Sequence, residues 1–450
     1  MAASGRPRVL ILGAGFAGIG VFQALRKEMK QSECEITLVD RNNFSLYTPM
    51  LAEVCGGGVE PEDVVAPIRK LTKRKCTFDQ GEVEEIDLAN KRVRVGIGGR
   101  FGVPRTERFL EYDHLVICLG STDNFRMTPG CEENSVGAKY IEDAIEIRNR
   151  GLALLERADE ETDPAERKHL LSFVVAGGGF TGVEVMASLN DMLRELAGRN
   201  YPNVMEVDVR TVIIVPGKRL LPETGERLAK YTADALAKRG VEIMFETVVH
   251  AAGPDWVEVK PRAGGEPTRI GAHTFIWAGG VKPVPAVHAS GLPIGEHGGI
   301  STDSTCRVFA NDNVWALGDC AEVPIPDKDG TYAPTAQNAI REGKRVGKNI
   351  AAVLKGKEPQ AFVFTPIGEL AVVGTHSGVA VLKGIHLKGR LAWWMWRWIY
   401  LAKLPRMSQR MRVAIDWFTD SAFGIDCAQL PAGRGPLSAD MPTEPVGAGK

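Results

Sequence analysis

The sequence has 450 residues, of which 44% are hydrophobic and 25% charged, so it is typical of a globular protein and not of a disordered or fibrous one. Its 55 basic and 56 acidic residues leave a net charge of −1, which excludes a globally basic nucleic-acid-binding protein. No continuous apolar run reaches the length of about 18 residues that a spanning helix needs. The eight cysteines form no Cys-x-x-Cys pair, so we predict no bound metal and no dithiol redox centre.

A short buried strand is predicted at Val9–Leu12, and since only eight residues precede it we expect no signal peptide. The strand leads into Gly13-x-Gly15-x-x-Gly18 and then a helix. Such glycines make the tight turn, admit a pyrophosphate and let helix pack on strand, in that order. The next strand ends at Asp40, where a carboxylate accepts hydrogen bonds from a ribose. The order of these features predicts a dinucleotide site.

The same pattern returns at Gly177-x-Gly179-x-x-Gly182, after a second predicted strand and before a second helix. The following strand ends at Val215, where the ribose-binding acid is expected, and Lys218-Arg219 come shortly after. Three interpretations stay open. The dinucleotide is bound without that carboxylate, the two cations favour a 2′-phosphate, or the unit is retained for structure and binds weakly.

Two dinucleotide units in one chain indicate a flavin in the first and a nicotinamide in the second, between which a hydride passes. Two further strands, 112–120 and 313–321, are predicted to end at Gly120 and near Asp319, where ligands of open α/β sheets bind. The acid-rich stretch 156–166 is predicted to be a solvated loop.

The segment 383–412 holds eight basic residues, no acid and four of the eight tryptophans. At about 100° per residue it forms a helix with one apolar arc. That arc comprises Leu391, Trp394, Met395, Trp398, Ile399, Leu401 and Ala402. A second helix after Pro405 places Met411, Ile415, Phe418 and Ala422 on one face. These helices are too short to span a bilayer and are predicted to lie in the headgroup plane of anionic lipids. The alternative is packing on the protein's own core or on a partner subunit.

Together these motifs resemble the flavoproteins with two dinucleotide-binding domains, and specifically the type II NADH dehydrogenases, which are monotopic NADH:quinone oxidoreductases. The segments that carry the resemblance are VLILGAGFAG, LVDRNNFSLYTPML, YDHLVICLGS, VVAGGGFTGVE, NVWALGDCAEVP, APTAQNAIREG and the tryptophan-rich run LAWWMWRWIYLAKLP. The resemblance covers most of residues 8–430.

The resemblance implies a set of site residues. Its FAD contacts fall on Gly13, Gly15, Gly18, Asp40, Asn43, Thr48, Gly120 and Asp319; its nicotinamide contacts fall on Gly177, Gly179, Gly182 and Glu184; and its quinone-side residues are Ala336 and Gln337. We take Glu184 and Gln337 as the candidate catalytic residues. The carboxylate of Glu184 either interacts favourably with the helix dipole, or it contacts nicotinamide or delivers a proton to quinone. Gln337 either bridges backbone groups or contacts quinone or flavin.

The chain departs from the family at two positions. An acid usually stands where this chain has Val215, which bears on the choice between NADH and NADPH. A second glutamine often stands where this chain has Arg341, which bears on the quinone head group.

We therefore expect an α/β fold with two Rossmann-like, glutathione-reductase-like domains and a C-terminal amphipathic-helix region. The predicted divisions are an FAD domain at 1–122 and 288–365, an NAD(P)H domain at 123–287, a membrane-anchoring or dimerisation region at 366–430 and a disordered tail at 431–450. The expected activity is non-proton-pumping electron transfer from NADH (or NADPH) through FAD to quinone, in a homodimer on the cytoplasmic face of the cell membrane. The alternatives are a sulfide:quinone-type oxidoreductase, which needs cysteines such as Cys131 and Cys320 near the flavin, and a membrane-docking redox sensor.

Overall fold

The computed structural model describes residues 5–429 apart from 100 and 127. The helices are α1 (Phe16–Glu28), α2 (Leu51–Cys55), α3 (Ile68–Thr72), α4 (Cys131–Asn134), α5 (Ile141–Glu160), α6 (Pro164–Leu170), α7 (Phe180–Asn200), α8 (Glu226–Lys238), α9 (Pro285–His288), α10 (Ala336–Leu354), α11 (Arg390–Lys403) and α12 (Met407–Phe423). The strands are β1 (Arg8–Leu12), β2 (Glu35–Asp40), β3 (Phe44–Leu46), β4 (Val65–Pro67), β5 (Thr77–Gln80), β6 (Glu82–Asp87), β7 (Arg92–Ile97), β8 (Thr106–Glu111), β9 (His114–Ile117), β10 (Ser121–Asp123), β11 (Ser172–Ala176), β12 (Arg210–Val215), β13 (Val241–Phe245), β14 (Thr247–Gly253), β15 (Trp256–Pro261), β16 (Thr268–Gly271), β17 (Thr274–Trp277), β18 (Val281–Pro283), β19 (Ile300–Ser301), β20 (Val314–Ala316), β21 (Ala321–Glu322), β22 (Gly368–Val372), β23 (Gly378–Leu382) and β24 (Ile385–Lys388).

The first parallel sheet has the strand order β20-β9-β1-β2-β5. Its apolar strands are buried on both faces, as parallel strands covered by helices must be. On one face α1 and α10 touch through their backbones, because a Cβ at Gly343 would lie 2.3 Å from the carbonyl oxygen of Ala17. Strand β20 belongs to a much later part of the chain than the other four strands. In the sequence, the last strand of the first sheet therefore comes after all the strands of the second parallel sheet.

The second parallel sheet has the order β13-β12-β11-β17. This order corresponds to β5-β2-β1-β9 of the first sheet. Such an arrangement is typical of dinucleotide-binding folds. The chain passes between the two sheets through β10 and β18, which pair antiparallel with Ser121 opposite Pro283. The predicted α/β class with two Rossmann-like units is confirmed.

Three antiparallel sheets of three strands complete the fold: β6-β7-β8, β14-β15-β16 and β22-β23-β24. The last of these leads directly into α11 and α12. Trp393, Trp396 and Trp417 of these two helices are buried in the largest hydrophobic cluster, which they share with α7 and β22. One face of the C-terminal helices thus belongs to the core of the protein.

The prediction of a solvated loop at 156–166 is wrong. Helix α5 continues to Glu160, and α6 begins at Pro164 after Asp163 accepts a hydrogen bond from the N–H of Ala165 at 2.9 Å. Leu155 and Ala158 are fully buried, so their burial holds this end of α5 against the core while its acidic residues face solvent. The charge run marks the outer face of an amphipathic helix.

Among the described residues, no helix combines the length and the apolar character that crossing a bilayer requires. The predicted disordered tail at 431–450 lies outside the described residues.

Candidate functional site

The first glycine turn joins β1 to α1 at the carboxyl edge of the first sheet. Gly13 has φ +103°, and a Cβ there would lie 2.2 Å from the carbonyl oxygen of Cys118. A Cβ at Gly18 would lie 1.9 Å from the carbonyl oxygen of Gly13, so helix and strand approach too closely for a side chain. At Gly15 no described atom lies within 4 Å of the Cβ position. The turn is therefore closed towards the protein and open in front of the helix N-terminus, where a phosphate binds.

Asp40 ends β2 beside this turn. Its carboxylate accepts hydrogen bonds from the backbone N–H of Ala14 at 2.7 Å and of Asn42 at 2.8 Å. Burial raises the pKa of Asp40, and the two N–H donors act in the opposite direction. Asn43 and Thr48 follow with exposed side chains. The structure thus brings Asp40 and the glycine turn together, as the motif predicted.

Asp319 follows β20 at the same sheet edge. Its Oδ2 accepts hydrogen bonds from Ser121 Oγ at 2.7 Å and Lys139 Nζ at 2.8 Å, and Lys139 also contacts Ser121. Burial alone would raise the pKa of Asp319, but the charge and hydrogen bond of Lys139 outweigh it and the pKa is lowered. Gly120, with φ +75° and an open Cβ position, lies next to Ser121. Sequence reasoning missed Lys139, which lies 180 positions from Asp319 and belongs to no motif.

The second glycine turn joins β11 to α7 and repeats the first. Gly177 has φ +129°, and a Cβ there would lie 2.2 Å from the carbonyl oxygen of Ala278. A Cβ at Gly182 would lie 2.1 Å from the carbonyl oxygen of Gly177, whereas no described atom lies within 4 Å of the Cβ position of Gly179. This turn has the same closed and open sides as the first.

The second turn differs from the first at the end of β12. Val215 is 2% exposed, and its Cγ1 lies 2.7 Å from the Cβ position of Gly178. Nearby, the exposed Lys218 lies 3.9 Å from Glu246, which follows β13. A methyl group therefore occupies the place that the Asp40 carboxylate takes in the first unit.

Glu184 lies in the second turn of α7, but its side chain points towards the C-terminal region. Its Oε1 accepts hydrogen bonds from the backbone N–H of Val372 at 3.0 Å and from Trp396 Nε1 at 3.1 Å. The group is surrounded by protein yet keeps some accessible surface, and burial raises its pKa to about 8. These contacts direct the carboxylate towards the C-terminal region. Glu184 joins the second dinucleotide unit to β22 and α11, and no sequence motif pointed to Val372 or Trp396 as its partners.

Ala336 and Gln337 begin α10, whose N-terminus is capped by Thr335. Gln337 Nε2 donates a hydrogen bond to the carbonyl oxygen of Gly368 at 2.9 Å, which links α10 to β22. One turn later, the guanidinium of Arg341 donates to the carbonyl oxygen of Gln337 at 2.9 Å. Gln337 therefore bridges to a backbone group through its side-chain Nε2, and among the described residues no donor contacts its side-chain oxygen Oε1.

A second buried acid, Glu53 of α2, lies under the C-terminal helices. Trp417 Nε1 donates to its Oε2 at 3.1 Å, and the guanidinium of Arg397 lies 4.0 Å from the same oxygen. Arg397 is held between the rings of Trp393, at 4.0 Å, and Trp417, at 4.5 Å. Arg397 thus faces inward from α11 and compensates a buried carboxylate.

The candidate cysteines of a sulfide-oxidising site are not close to one another, and the potential metal ligands lie elsewhere. Cys131 and Cys320 belong to different hydrophobic clusters, so they do not form the set that sulfide oxidation needs. All eight cysteines are free. One group of possible metal ligands, Glu166, His169 and His273, lies before β11 and β17, at the sheet edge opposite the second glycine turn.

Known protein families match this chain over most of its length. Residues 7–343 match the pyridine nucleotide-disulphide oxidoreductase family, and residues 367–426 match the NDH2 C-terminal domain. A type II NADH:quinone oxidoreductase of Staphylococcus aureus is 30% identical over 399 residues, which cover 87% of this chain and 94% of that protein. The chain belongs to the type II NADH:quinone oxidoreductases.

Solved structures give the same fold for this oxidoreductase. The structure of NDH2 from Plasmodium falciparum in complex with NADH superposes with a TM-score of 0.86 at 20% identity, covering 94% of this chain and 99% of that one. The sulfide:quinone oxidoreductase of Aquifex aeolicus superposes with a TM-score of 0.71 at 18% identity, covering 95% and 100%.

Proposed function

We propose that this protein oxidises NADH, with FAD as its resident cofactor, and reduces a quinone at a membrane surface. The observation that carries the proposal is the contact of Glu184 with Trp396. It joins the helix of the second glycine turn to a tryptophan-rich helix whose other face is exposed and apolar. A nucleotide unit and a surface suited to lipid thus meet at one titratable group.

The residues of the first unit fit FAD. Gly15 and Gly120 leave open space where a pyrophosphate approaches backbone, Asp40 offers a carboxylate to a ribose, and Asp319 stands at the same edge for the ribityl chain. When bound, FAD supplies the two-electron chemistry that links a hydride donor to a quinone. The second unit, with Gly177, Gly179 and Gly182, is proposed to hold the nicotinamide nucleotide.

Glu184 is proposed to hold the proton that quinone reduction consumes. Reduction of a quinone by NADH takes one hydride and one further proton from solution. With its pKa at about 8, Glu184 is largely protonated at neutral pH and can donate. Gln337 is proposed to orient the quinone, because one end of its amide is fixed on Gly368 while Oε1 is left for a ligand.

The C-terminal helices are proposed to hold the protein on the membrane without crossing it. Leu391, Trp394 and Trp398 of α11 are more than half exposed, and so are Met411, Ile415 and Phe418 of α12. Apolar faces of this kind, with basic residues around them, bind the interface of anionic bilayers. We propose the cytoplasmic face as the location, a homodimer as the assembly, and domain boundaries at 1–122 with 288–365, 123–287 and 366–430.

The test separates the two halves of the reaction. Purified protein with bound FAD is mixed anaerobically with NADH, NADPH or sulfide, and the flavin absorbance is followed. We expect NADH to bleach it and a short-chain quinone added afterwards to restore it. Bleaching by sulfide and not by NADH, or bleaching that quinone does not reverse, contradicts the proposal.

A further inference from the structure

A groove with a volume of about 960 Å³ lies beside the unit that contains the first parallel sheet, next to the C-terminal helices. Its walls are α1, the segment 70–75 at and after the end of α3, the first half of α10, and the turn between α11 and α12. It begins at Phe16, the residue after Gly15 of the first glycine turn, and extends along α1 to Lys27. We call it the basic groove.

The basic groove is lined by six lysines and two arginines, and none of its twenty lining residues is an acid. The lysines are Lys27, Lys70, Lys73, Lys75, Lys344 and Lys403. Their side chains are exposed, and among the described residues no carboxylate lies within ion-pair distance of any of them. Cations this close together repel one another, and an anion in the groove relieves that repulsion.

Two walls of the groove are held together by Arg26. Its guanidinium donates hydrogen bonds to the carbonyl oxygens of Lys75 at 2.7 Å and Cys34 at 3.1 Å. Gln31 adds a bond to the carbonyl oxygen of Arg74 at 3.0 Å. These bonds fix the lysine-bearing segment 70–75 against α1 before any ligand binds. The backbone that carries these lysines is therefore held in place in advance.

Apolar side chains line the rest of the groove, among them Phe16, Ile19, Leu71 and Met407. Met407 is 66% exposed and begins α12, whose apolar face continues with Met411. The groove thus opens beside the surface that faces lipid in the proposed function. An anionic head with an apolar tail matches both parts of the lining.

We propose that the basic groove binds the headgroup phosphate of one anionic phospholipid, with the acyl chains leaving over Met407 into the bilayer. This inference rests on the membrane association in the proposed function. Only Lys403 and Arg406 belong to the basic segment 383–412, so six of the eight cations come from elsewhere in the chain. A bound lipid would therefore fix the distance between the bilayer and the unit that contains the first parallel sheet. The C-terminal helices alone do not fix that distance.

The experiment uses the full chain with its FAD and lipids below their micelle concentration. Dioctanoyl phosphatidylglycerol, dioctanoyl phosphatidylcholine and inorganic phosphate are titrated separately by calorimetry. Phosphatidylglycerol is expected to bind saturably with one lipid per chain. Phosphatidylcholine and phosphate are expected to bind at least tenfold more weakly, by roughly the value of one or two lysine contacts.

Two double variants decide whether the groove is responsible. Lys70→Gln with Lys344→Gln removes two groove cations, while Lys238→Gln with Lys348→Gln removes two exposed lysines outside it, one of them a helical turn after Lys344. Since a basic residue near an anionic headgroup contributes about fivefold in affinity, the groove variant should bind about 30-fold more weakly and the control should be unchanged. FAD absorbance and unfolding temperature show that each variant is folded.

The inference is overturned if the groove variant binds phosphatidylglycerol as tightly as the control, or if phosphatidylcholine binds equally well. Phosphate that competes with the lipid at equal concentration makes the groove a site for free phosphate and also overturns it. Failure of the proposed function is seen separately, as absent bleaching of the flavin by NADH.

Discussion

At the scale of single residues, burial among protein atoms changes the acid–base chemistry of Glu184. Replacing it by Gln keeps an oxygen for the N–H groups of Val372 and Trp396 but removes the proton. In stopped-flow measurements we expect Glu184→Gln to slow flavin reoxidation by quinone at least about 10²-fold, the lower end of what a general acid contributes. Reduction of the flavin by NADH should stay within about threefold of the wild type, well inside that effect.

The pH profile gives the control for this variant. Because the pKa of Glu184 is raised to about 8, the wild-type reoxidation rate should fall as the pH passes 8, while the Gln variant should show no such fall. Equal slowing of both half-reactions would assign Glu184 a structural role instead.

At the residue scale, Val215 stands where a ribose-binding carboxylate is expected, and its replacement tests the nucleotide preference. Leu12 pairs with Val39 and Ala176 with Ile214, so Asp40 and Val215 stand at equivalent positions beyond the two pairs. In the first unit the N–H of Ala14 binds the carboxylate, and in the second the N–H of Gly178 stands in the same place. The variant Val215→Asp should therefore restore a ribose-binding carboxylate.

We expect Val215→Asp to raise the ratio of kcat/KM for NADH over NADPH by about 10- to 100-fold, the value of a hydrogen bond to a charged group plus repulsion of a 2′-phosphate. Val215→Asn has the same shape without charge and is the matched control. An equal ratio in the two variants would mean that the ribose is read elsewhere, with Lys218 and Glu246 as the nearest charged groups.

Residue-scale prediction from sequence worked where the chemistry is local. Gly13, Gly15, Gly18 and Asp40 lie within one βαβ unit, so their spacing alone predicted that they meet. Lys139 and Asp319 meet because β10 brings distant parts of the chain together, and no short pattern records that contact.

At the scale of elements, α11 has two faces with different tasks. The helical wheel predicted the exposed face correctly, since Leu391, Trp394 and Trp398 are exposed while Trp393 and Trp396 are buried. Its edge differs from the prediction, because Met395, Ile399 and Leu401 pack partly against the core. The inner face of the helix therefore packs on the protein's own core, and the outer face is exposed and stays the predicted membrane-binding face.

The double variant Trp394→Ser with Trp398→Ser should release the protein from liposomes. Each substitution removes an indole, and with it the apolar area that the indole buries in the lipid interface. We expect binding to fall at least about tenfold in flotation assays. Met205→Ser with Val207→Ser, two exposed apolar residues before β12, should leave binding unchanged. Retained liposome binding by the tryptophan variant contradicts the membrane assignment.

At the scale of the whole molecule, the near-zero net charge conceals a separation of charge. Basic residues gather in the segment 383–412 and in the basic groove, and several acids are buried where water is scarce. Composition could not locate either group. The contact of Glu184 with Trp396 crosses 212 positions, so only the folded chain shows that the two belong to one site.

The buried acids predict how the stability of the whole protein depends on pH. Burial raises the pKa of Glu184 to about 8 and of Glu342, whose carboxylate accepts from the N–H of Gly318, to about 7. A raised carboxyl pKa means that the native state holds protons which the unfolded chain releases above about pH 4.5. This contribution to stability is complete below that value and is lost as the pH rises through 7 and 8.

We therefore expect the unfolding temperature to fall between pH 6 and pH 8.5, and to fall less in Glu184→Gln, which cannot release that proton. Asp113 supplies a control of opposite sign: burial would raise its pKa, but the hydrogen bonds and charge of Arg8 outweigh this and lower it. Asp113→Asn should thus be destabilised at neutral pH and approach the wild type as the pH falls below about 4, where the carboxyl is protonated in the unfolded chain. Calorimetry of the FAD-bound protein at each pH measures both effects. An unfolding temperature that falls equally in the wild type and in Glu184→Gln would show that Glu184 is ionised in the native state at neutral pH, and would remove it as the proton donor.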